Sequence, residues 1–141
     1  MAKRHPRGLI DTSVLIDLER IDAAGLPAEL AVSAVTMAEL AAGPHATTDR
    51  VERASRQDRL QRAEATFDPL PIDAAVARAY GRIYASVVAR GRKPIGRRGF
   101  DLLIAATALA AGLPLYTRNP KDFSGLGNLL IDIVSVPASP A

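Results

Sequence analysis

A strand-to-helix junction near the N-terminus indicates the class of fold: Gly8-Leu9-Ile10-Asp11-Thr12-Ser13-Val14-Leu15-Ile16-Asp17. We predict a strand over residues 8–10 and a helix over residues 13–20, which places Asp11 where the strand gives way to the helix. In a parallel sheet, such junctions gather along one edge, and α/β proteins usually bind their ligands there. Asp11 is therefore a candidate functional residue.

Three more acidic residues, Glu39, Asp101 and Asp122, follow apolar runs in the same way. If the four carboxylates meet at one edge of the sheet, they form a site for a hard divalent cation. Sites of this kind carry out phosphoryl chemistry.

Each acid also has a purely structural interpretation, because Asp and Glu are favoured at helix N-termini. Asp11 and Asp101 could each open the helix that follows, and Thr36-x-x-Glu39 has the form of a capping box. Asn119-Pro120 resembles an N-cap followed by a proline at the first helical position, which leaves Asp122 in the first turn. Spacing alone does not separate these interpretations.

Predicted strands and helices alternate along the chain. The strands are predicted at residues 8–10, 31–33, 69–72, 113–116 and 131–136. The helices are predicted at residues 13–20, 36–42, 49–65, 73–90 and 101–111, with Gly91 and Gly112 ending the last two. This alternation predicts an α/β fold with a mostly parallel sheet covered by helices on both faces.

Composition is consistent with one domain over residues 1–141, with a core at about 8–136 and tails at 1–7 and 137–141. Apolar residues make up 48% of the chain but aromatic ones only 4%, so aliphatic side chains must fill the core. The absence of cysteine excludes disulfides, a thiolate nucleophile and a cysteine-ligated zinc site. No apolar run is long enough for a membrane span or a signal peptide, so we expect a cytoplasmic protein.

The net charge of +3 comes mainly from two groups of arginines. The first recurs every third residue, which predicts a solvated helix surface: Arg50, Arg53, Arg56, Arg59 and Arg62. The second precedes Asp101 and could either hold a nucleic-acid phosphate or form a solvated loop: Arg90, Arg92, Lys93, Arg97 and Arg98. We interpret His5 and His45 as surface residues, and Thr12, Ser13 and Thr117 either as helix caps or as residues that orient carboxylates.

The segments around the four acids resemble those of PIN-domain nucleases, and most of all the VapC-type toxins of prokaryotic toxin–antitoxin pairs. The matching segments are, in the family's order, Leu9-Ile10-Asp11-Thr12-Ser13, Ser33-x-Val35-Thr36-x-x-Glu39-Leu40, Asp101-x-x-Ile104-Ala105-Ala106 and Thr117-Arg118-Asn119-x-x-Asp122-Phe123. Together they anchor the chain from residue 8 to about residue 134. The resemblance implies a three-layer α/β/α fold around a central, mostly parallel sheet.

The resemblance also implies roles for the acids. Asp11 and Asp101 would be the principal metal ligands, Glu39 would complete the coordination or hold a metal-bound water, and Asp122 would be a fourth, more variable acid. Asn119 stands where some relatives carry another acid, and the segment from residue 93 to residue 101 is longer than in many relatives.

The implied activity is that of an endoribonuclease that uses Mg²⁺ or Mn²⁺ to hydrolyse RNA and leaves a 5′-phosphate and a 3′-hydroxyl. The implied biological role is that of a type II toxin that inhibits translation or growth. Its implied partners are RNA, a small antitoxin whose C-terminal segment covers the active-site crevice, and a second copy of the chain, with no membrane involved.

Two alternatives remain open at this stage. A domain with the same fold could bind nucleic acid or protein without catalysis and use the acids only as helix caps. A phosphatase or receiver-like domain could use Asp11 as a nucleophile. A haloacid-dehalogenase-type site would have a second acid two residues further on, where this chain has Ser13.

Overall fold

The structure is a computed structural model that describes residues 5–91, 97–124, 126 and 131–137, with residues 97 and 98 described by their backbone alone. Its sheet has four strands: β1 (Arg7–Ile10), β2 (Glu29–Ala31), β3 (Leu115–Thr117) and β4 (Ile133–Ser135). The strand order is β2-β1-β3-β4, and every neighbouring pair is parallel. The C-terminal ends of the strands therefore lie along one edge, as predicted.

Helices cover both faces of the sheet. The α-helices are α1 (Thr12–Ile16), α2 (Ala34–Ala42), α3 (Arg50–Thr66), α4 (Ala74–Ala89) and α5 (Arg97–Ala111). Short 3₁₀ helices lie at Leu18–Arg20, Ala23–Gly25, Gly43–Ala46 and Pro120–Phe123.

Alternate strand residues supply two separate apolar cores. Leu9 and Leu115 pack on one face of the sheet with residues of α4 and α5. Ile10 and Tyr116 pack on the other face with residues of α1 and α3. This alternation is the period of two expected for a strand, and the two cores confirm the predicted three-layer α/β/α arrangement.

Two predicted strands differ from the observed ones. The second strand is Glu29–Ala31 and not residues 31–33, because Ser33 already belongs to the start of α2. Residues 69–72 form a single bridge between Leu70 and Ser33 instead of a strand. Leu70 stands between Pro69 and Pro71, which have no N–H to donate to a neighbouring strand.

The predicted stops of the last two helices are confirmed, whereas the first helix ends at Ile16 instead of residue 20 and two predicted helix starts are wrong. Gly91 and Gly112 follow α4 and α5 with φ values of 75° and 68°, which glycine adopts without strain. Helix α2 begins at Ala34 and not at residue 36, and α5 begins at Arg97, four residues before Asp101. Asp101 therefore does not open its helix, and the capping interpretation fails for it.

The arginines of α3 are not simply a solvated surface. Arg53 donates to the carbonyl oxygens of Pro44 and Thr47, at 3.2 and 3.0 Å, and Arg56 donates to that of Gly43 at 2.9 Å. These bonds fix the turn that joins α2 to α3. Arg62 forms ion pairs with Glu19 and Asp58.

Of the second arginine group, Arg90 is exposed, while Arg92, Lys93 and the side chains of residues 97 and 98 lie outside the described part of the chain. No helix in the described ranges is long and apolar enough to cross a membrane.

Candidate active site

Asp11 lies directly after β1 and is the N-cap of α1, as predicted. Its Oδ1 atom accepts hydrogen bonds from the Val14 backbone N–H at 3.1 Å and from the Ser13 hydroxyl at 2.6 Å. The Ser13 hydroxyl in turn accepts a bond from the backbone N–H of Arg118, just after β3, at 3.2 Å. Ser13 thus links the Asp11 carboxylate to the end of the neighbouring strand.

The second carboxylate oxygen of Asp11 remains available. Asp11 is only 5% exposed, and no described residue donates to its Oδ2 atom. Within the described ranges, no buried side-chain oxygen or nitrogen lacks a hydrogen-bond partner. Because Oδ2 has no partner there, it must keep access to solvent. One oxygen is therefore fixed in place by the protein, and the other keeps some contact with solvent.

Glu39 repeats this arrangement on α2. The N-cap of α2 is Ser33, whose hydroxyl accepts from the backbone N–H of Thr36, so the predicted Thr36-x-x-Glu39 capping box is wrong. Glu39 lies in the second turn, and its Oε1 atom accepts a hydrogen bond from the Thr12 hydroxyl at 2.8 Å. No described residue donates to Oε2. Thr12 follows Asp11 directly in the chain and donates to Glu39, so this one threonine connects the two acids.

Asp101 and Asp122 lie on elements that adjoin this pair. Asp101 is half-buried on α5, and α5 packs against both α2 and the 3₁₀ helix Pro120–Phe123. Asp122 is exposed in the first turn of that 3₁₀ helix. Asn119 occupies the predicted N-cap position and Pro120 the start, but the Asn119 side chain makes no capping bond. Instead, the backbone N–H of Asn119 donates to the Thr117 hydroxyl at 3.0 Å.

The acids do not form a closed cluster. Among the described residues, no three Asp, Glu or His side chains gather closely enough to hold one ion. Two carboxylates about 4 Å apart repel each other by roughly 4 kcal/mol at an effective dielectric near 20, so charged side chains favour separation. The structure places Asp11 and Glu39 around Thr12, with Asp101 and Asp122 on neighbouring elements. That all four share one cation stays a prediction.

The available donor atoms fit a hard divalent cation. They are carboxylate oxygens, which are the protein ligands that Mg²⁺ and Mn²⁺ prefer. Both Asp11 and Glu39 have one oxygen oriented by a hydroxyl, which is how proteins commonly hold metal-binding carboxylates.

Sequence analysis assigned no role to Arg118. Its guanidinium forms an ion pair with Asp17 at the end of α1, and both side chains are partly buried, at 28% and 27% exposure. This pair and the backbone bond to Ser13 fasten the start of α1 to the end of β3. The two partners are 101 positions apart in sequence, so no local pattern could have paired them.

His5 belongs to the opposite edge of the sheet. Its Nε2 atom lies 3.1 Å from Asp132 Oδ2, and its ring meets Tyr116 edge-on with the centroids 6.1 Å apart. The carbonyl oxygens of His5 and Pro6 accept bonds from the backbone of residues 28 and 29. His5, interpreted from the sequence as a surface residue, is partly exposed and has partners at this edge, whereas His45 is exposed as expected.

A groove of about 1420 Å³ lies elsewhere, along β2 and between α3 and the 3₁₀ helix Leu18–Arg20. None of the four candidate acids lines it. The candidate acids at the C-terminal edge of the sheet are therefore separate from this groove.

Comparisons with known proteins identify the family of the chain. The model of the PIN domain family matches residues 8–128. The chain is 35% identical to Ribonuclease VapC5 of Mycobacterium tuberculosis over 96% of this chain and 100% of the relative. It is 40% identical to Ribonuclease VapC8 of the same species over 72% of this chain and 89% of the relative.

Solved structures show the same fold. The crystal structure of VapBC-5 from M. tuberculosis, a member of the VapBC family of toxin–antitoxin systems, matches with a TM-score of 0.82 and 34% identity, covering 93% of this chain and 99% of that one. VapBC-1 from nontypeable Haemophilus influenzae, at 24% identity and a TM-score of 0.68, shares the fold over 90% of this chain and 97% of its own. The chain belongs to the PIN-domain family and, within it, to the VapC proteins.

Proposed function

We propose that this chain is a metal-dependent endoribonuclease that hydrolyses RNA phosphodiester bonds, and that it acts as the toxin of a type II toxin–antitoxin pair, inhibiting translation or growth. The observation that carries the proposal is the pair of acids at the C-terminal edge of the sheet. Asp11 and Glu39 each have one oxygen held by a hydroxyl and the other left for a cation. The VapC relatives, which are named ribonucleases, support the assignment.

Asp11 and Asp101 would be the principal ligands of Mg²⁺ or Mn²⁺, with Glu39 and Asp122 completing the site. When bound, the ion lowers the pKa of a water and offsets the negative charge that develops on the phosphate. The protein holds the carboxylates at fixed angles: Ser13 orients Asp11, and Thr12 orients Glu39. With water as the nucleophile, the products would carry a 5′-phosphate and a 3′-hydroxyl.

The arrangement of the histidines also favours a metal-dependent route. RNA cleavage without metal commonly needs a pair of acid–base groups near the phosphate. The chain has only two histidines, and His5 is held by Asp132 at the N-terminal edge of the sheet. His45 is exposed in the 3₁₀ helix after α2.

The partners we propose are RNA as the substrate, a cognate small antitoxin and a second copy of the chain. The antitoxin proposal is supported by the similarity to chains found in VapBC complexes. A basic antitoxin side chain between Asp11 and Glu39 would occupy the oxygens that the cation needs. Homodimer formation rests on the family resemblance.

The test is incubation of the purified protein with cellular RNA in Mg²⁺, Mn²⁺ or EDTA, followed by sequencing of the 5′-phosphate ends. We expect cleavage with either metal, none with EDTA, and none for Asp101→Asn, which keeps the size of the side chain but removes its charge. Glu64→Gln, on the exposed surface of α3, is the matched control and should cleave like the wild type. Cleavage by Asp101→Asn at the wild-type rate would contradict the proposal.

The noncatalytic alternative is less well supported. It requires the acids to act as helix caps, and only Asp11 among them does so with its side chain. Glu39 and Asp101 lie beyond the first turns of their helices. A receiver or phosphatase site built on Asp11 is also disfavoured, because Ser13 occupies the position of the second acid and donates to Asp11.

A further inference from the structure

Three buried hydroxyls form a continuous line that ends at Glu39. Ser33 lies 3.4 Å from Thr36, Thr36 lies 3.0 Å from Thr12, and Thr12 lies 2.8 Å from Glu39 Oε1. Ser33 and Thr36 are both 0% exposed, and Thr12 is 7% exposed. Ser33 is the N-cap of α2, and Thr36 lies in the first turn of that helix. Thr12 lies in the first turn of α1, and Glu39 lies in the second turn of α2.

The direction of these bonds follows from counting protons, since each hydroxyl has one proton to donate. The Glu39 Oε1 atom accepts from the Thr12 hydroxyl, so the Thr12 proton points to Glu39. Thr12 must then accept from Thr36, and Thr36 must accept from Ser33. Each donation polarises the next one, so a chain of this kind strengthens its last bond.

Helix formation does not explain the Thr36 hydroxyl. The cap of α2 is supplied by Ser33, which accepts from the Thr36 backbone and not from its side chain. A buried threonine inside a helix commonly donates to the carbonyl one turn earlier, as Thr107 does to Leu103 at 2.9 Å. Thr36 instead reaches Thr12, which is 24 positions away in sequence and on another helix.

We propose that Thr36 is a positioning residue of the nuclease site, acting through Thr12 to hold Glu39 Oε1 so that Oε2 stays directed at the cation. The inference rests on the proposed function, because it assigns Thr36 a role in binding that cation. Thr12 makes the contact with Glu39, and Thr36 fixes the rotation of the Thr12 hydroxyl.

The test measures Mn²⁺ affinity of the metal-free full chain by titration calorimetry, without RNA. Thr12→Val removes the only described donor to Glu39 and should weaken Mn²⁺ binding about tenfold, the usual effect of losing a group that orients a metal ligand. Thr36→Val, one step further away, should weaken binding about threefold or more. Thr36→Ser keeps the hydroxyl and should stay within about twofold of the wild type.

Thr107→Val is the matched control, because Thr107 is also a buried helical threonine but bonds only within its own helix. It should lose a similar amount of thermal stability without any change in Mn²⁺ affinity. A double-mutant cycle makes the test sharper: in the Thr12→Val background, Thr36→Val should have no further effect on affinity. Should Thr36→Val fail to fold, Thr36→Ala replaces it in the same comparison with Thr36→Ser.

Wild-type Mn²⁺ affinity in Thr36→Val, or independent and additive losses in the cycle, would overturn the inference while leaving the nuclease proposal intact. If the wild-type chain neither binds Mn²⁺ nor cleaves RNA, both proposals fail together. The two failures are therefore distinguishable.

Discussion

Two acids at one edge of the sheet and two at the other are held in opposite ways. At the N-terminal edge, Glu29 lies 3.5 Å from Arg7, and Asp132 lies 3.1 Å from His5. At the C-terminal edge, Asp11 and Glu39 are held by hydroxyls and one backbone N–H, and neither forms an ion pair with a described residue. The first pair of acids has its partners within the chain. The second pair has no cationic partner among the described residues, which is what the proposed metal site requires.

This contrast predicts a difference in metal-dependent stability, and it is the largest effect we expect. A cation that binds only the folded chain at 100 times its dissociation constant stabilises it by about 2.7 kcal/mol. Asp11→Asn should lose most of this gain from Mn²⁺, whereas Asp132→Asn should keep it. Asparagine is as good an N-cap as aspartate, so α1 should survive the substitution.

The measurement is urea unfolding of each variant with and without Mn²⁺. Equal stabilisation of the two variants would show that the C-terminal edge is not the metal site. A loss of folding in metal-free Asp11→Asn would show instead that its carboxylate is structural.

The position of Asp11 was predictable from sequence, because an apolar run followed by an acid and a helix pattern has few other interpretations. The role of Glu39 was harder to predict. Ser33 and Thr36 are both good N-cap residues, and sequence alone favoured Thr36. Tertiary structure selects Ser33 as the N-cap of α2, because the bridge between Ser33 and Leu70 just after β2 fixes where the strand ends.

The start of α5 was misjudged for a related reason. The basic segment before Asp101 could form a solvated loop, but the helix begins at Arg97 and continues through Gly99. Thr12 and Ser13 were candidates for orienting carboxylates, and both do so, but the carboxylate that Thr12 reaches could not be predicted. Thr12 and Glu39 are 27 positions apart, and only the observed order of strands and helices brings them together.

The ion pair near the proposed site should contribute more to stability than its counterpart at the other edge. Arg118 and Asp17 are partly buried and join α1 to β3. Removing one partner of a half-buried pair leaves a charge poorly solvated, so Arg118→Met should lower the free energy of unfolding by about 1–2 kcal/mol. Chemical denaturation measures this loss, and a change below about 0.3 kcal/mol would show that the pair does not stabilise the fold.

The smallest effect is expected at the N-terminal edge, from Glu29→Gln. Arg7 and Glu29 are 44% and 70% exposed, and exposed pairs of this kind contribute at most about 1 kcal/mol and often nothing measurable. We expect a loss within about 0.5 kcal/mol that disappears in 1 M salt, where charges are screened beyond about 3 Å. Because this acid is already neutralised by a neighbour, its loss should leave both Mn²⁺ stabilisation and RNA cleavage unchanged. A fall in either one would mean that the two edges of the sheet are coupled, and that the division between paired and metal-binding acids is not a property of each edge alone.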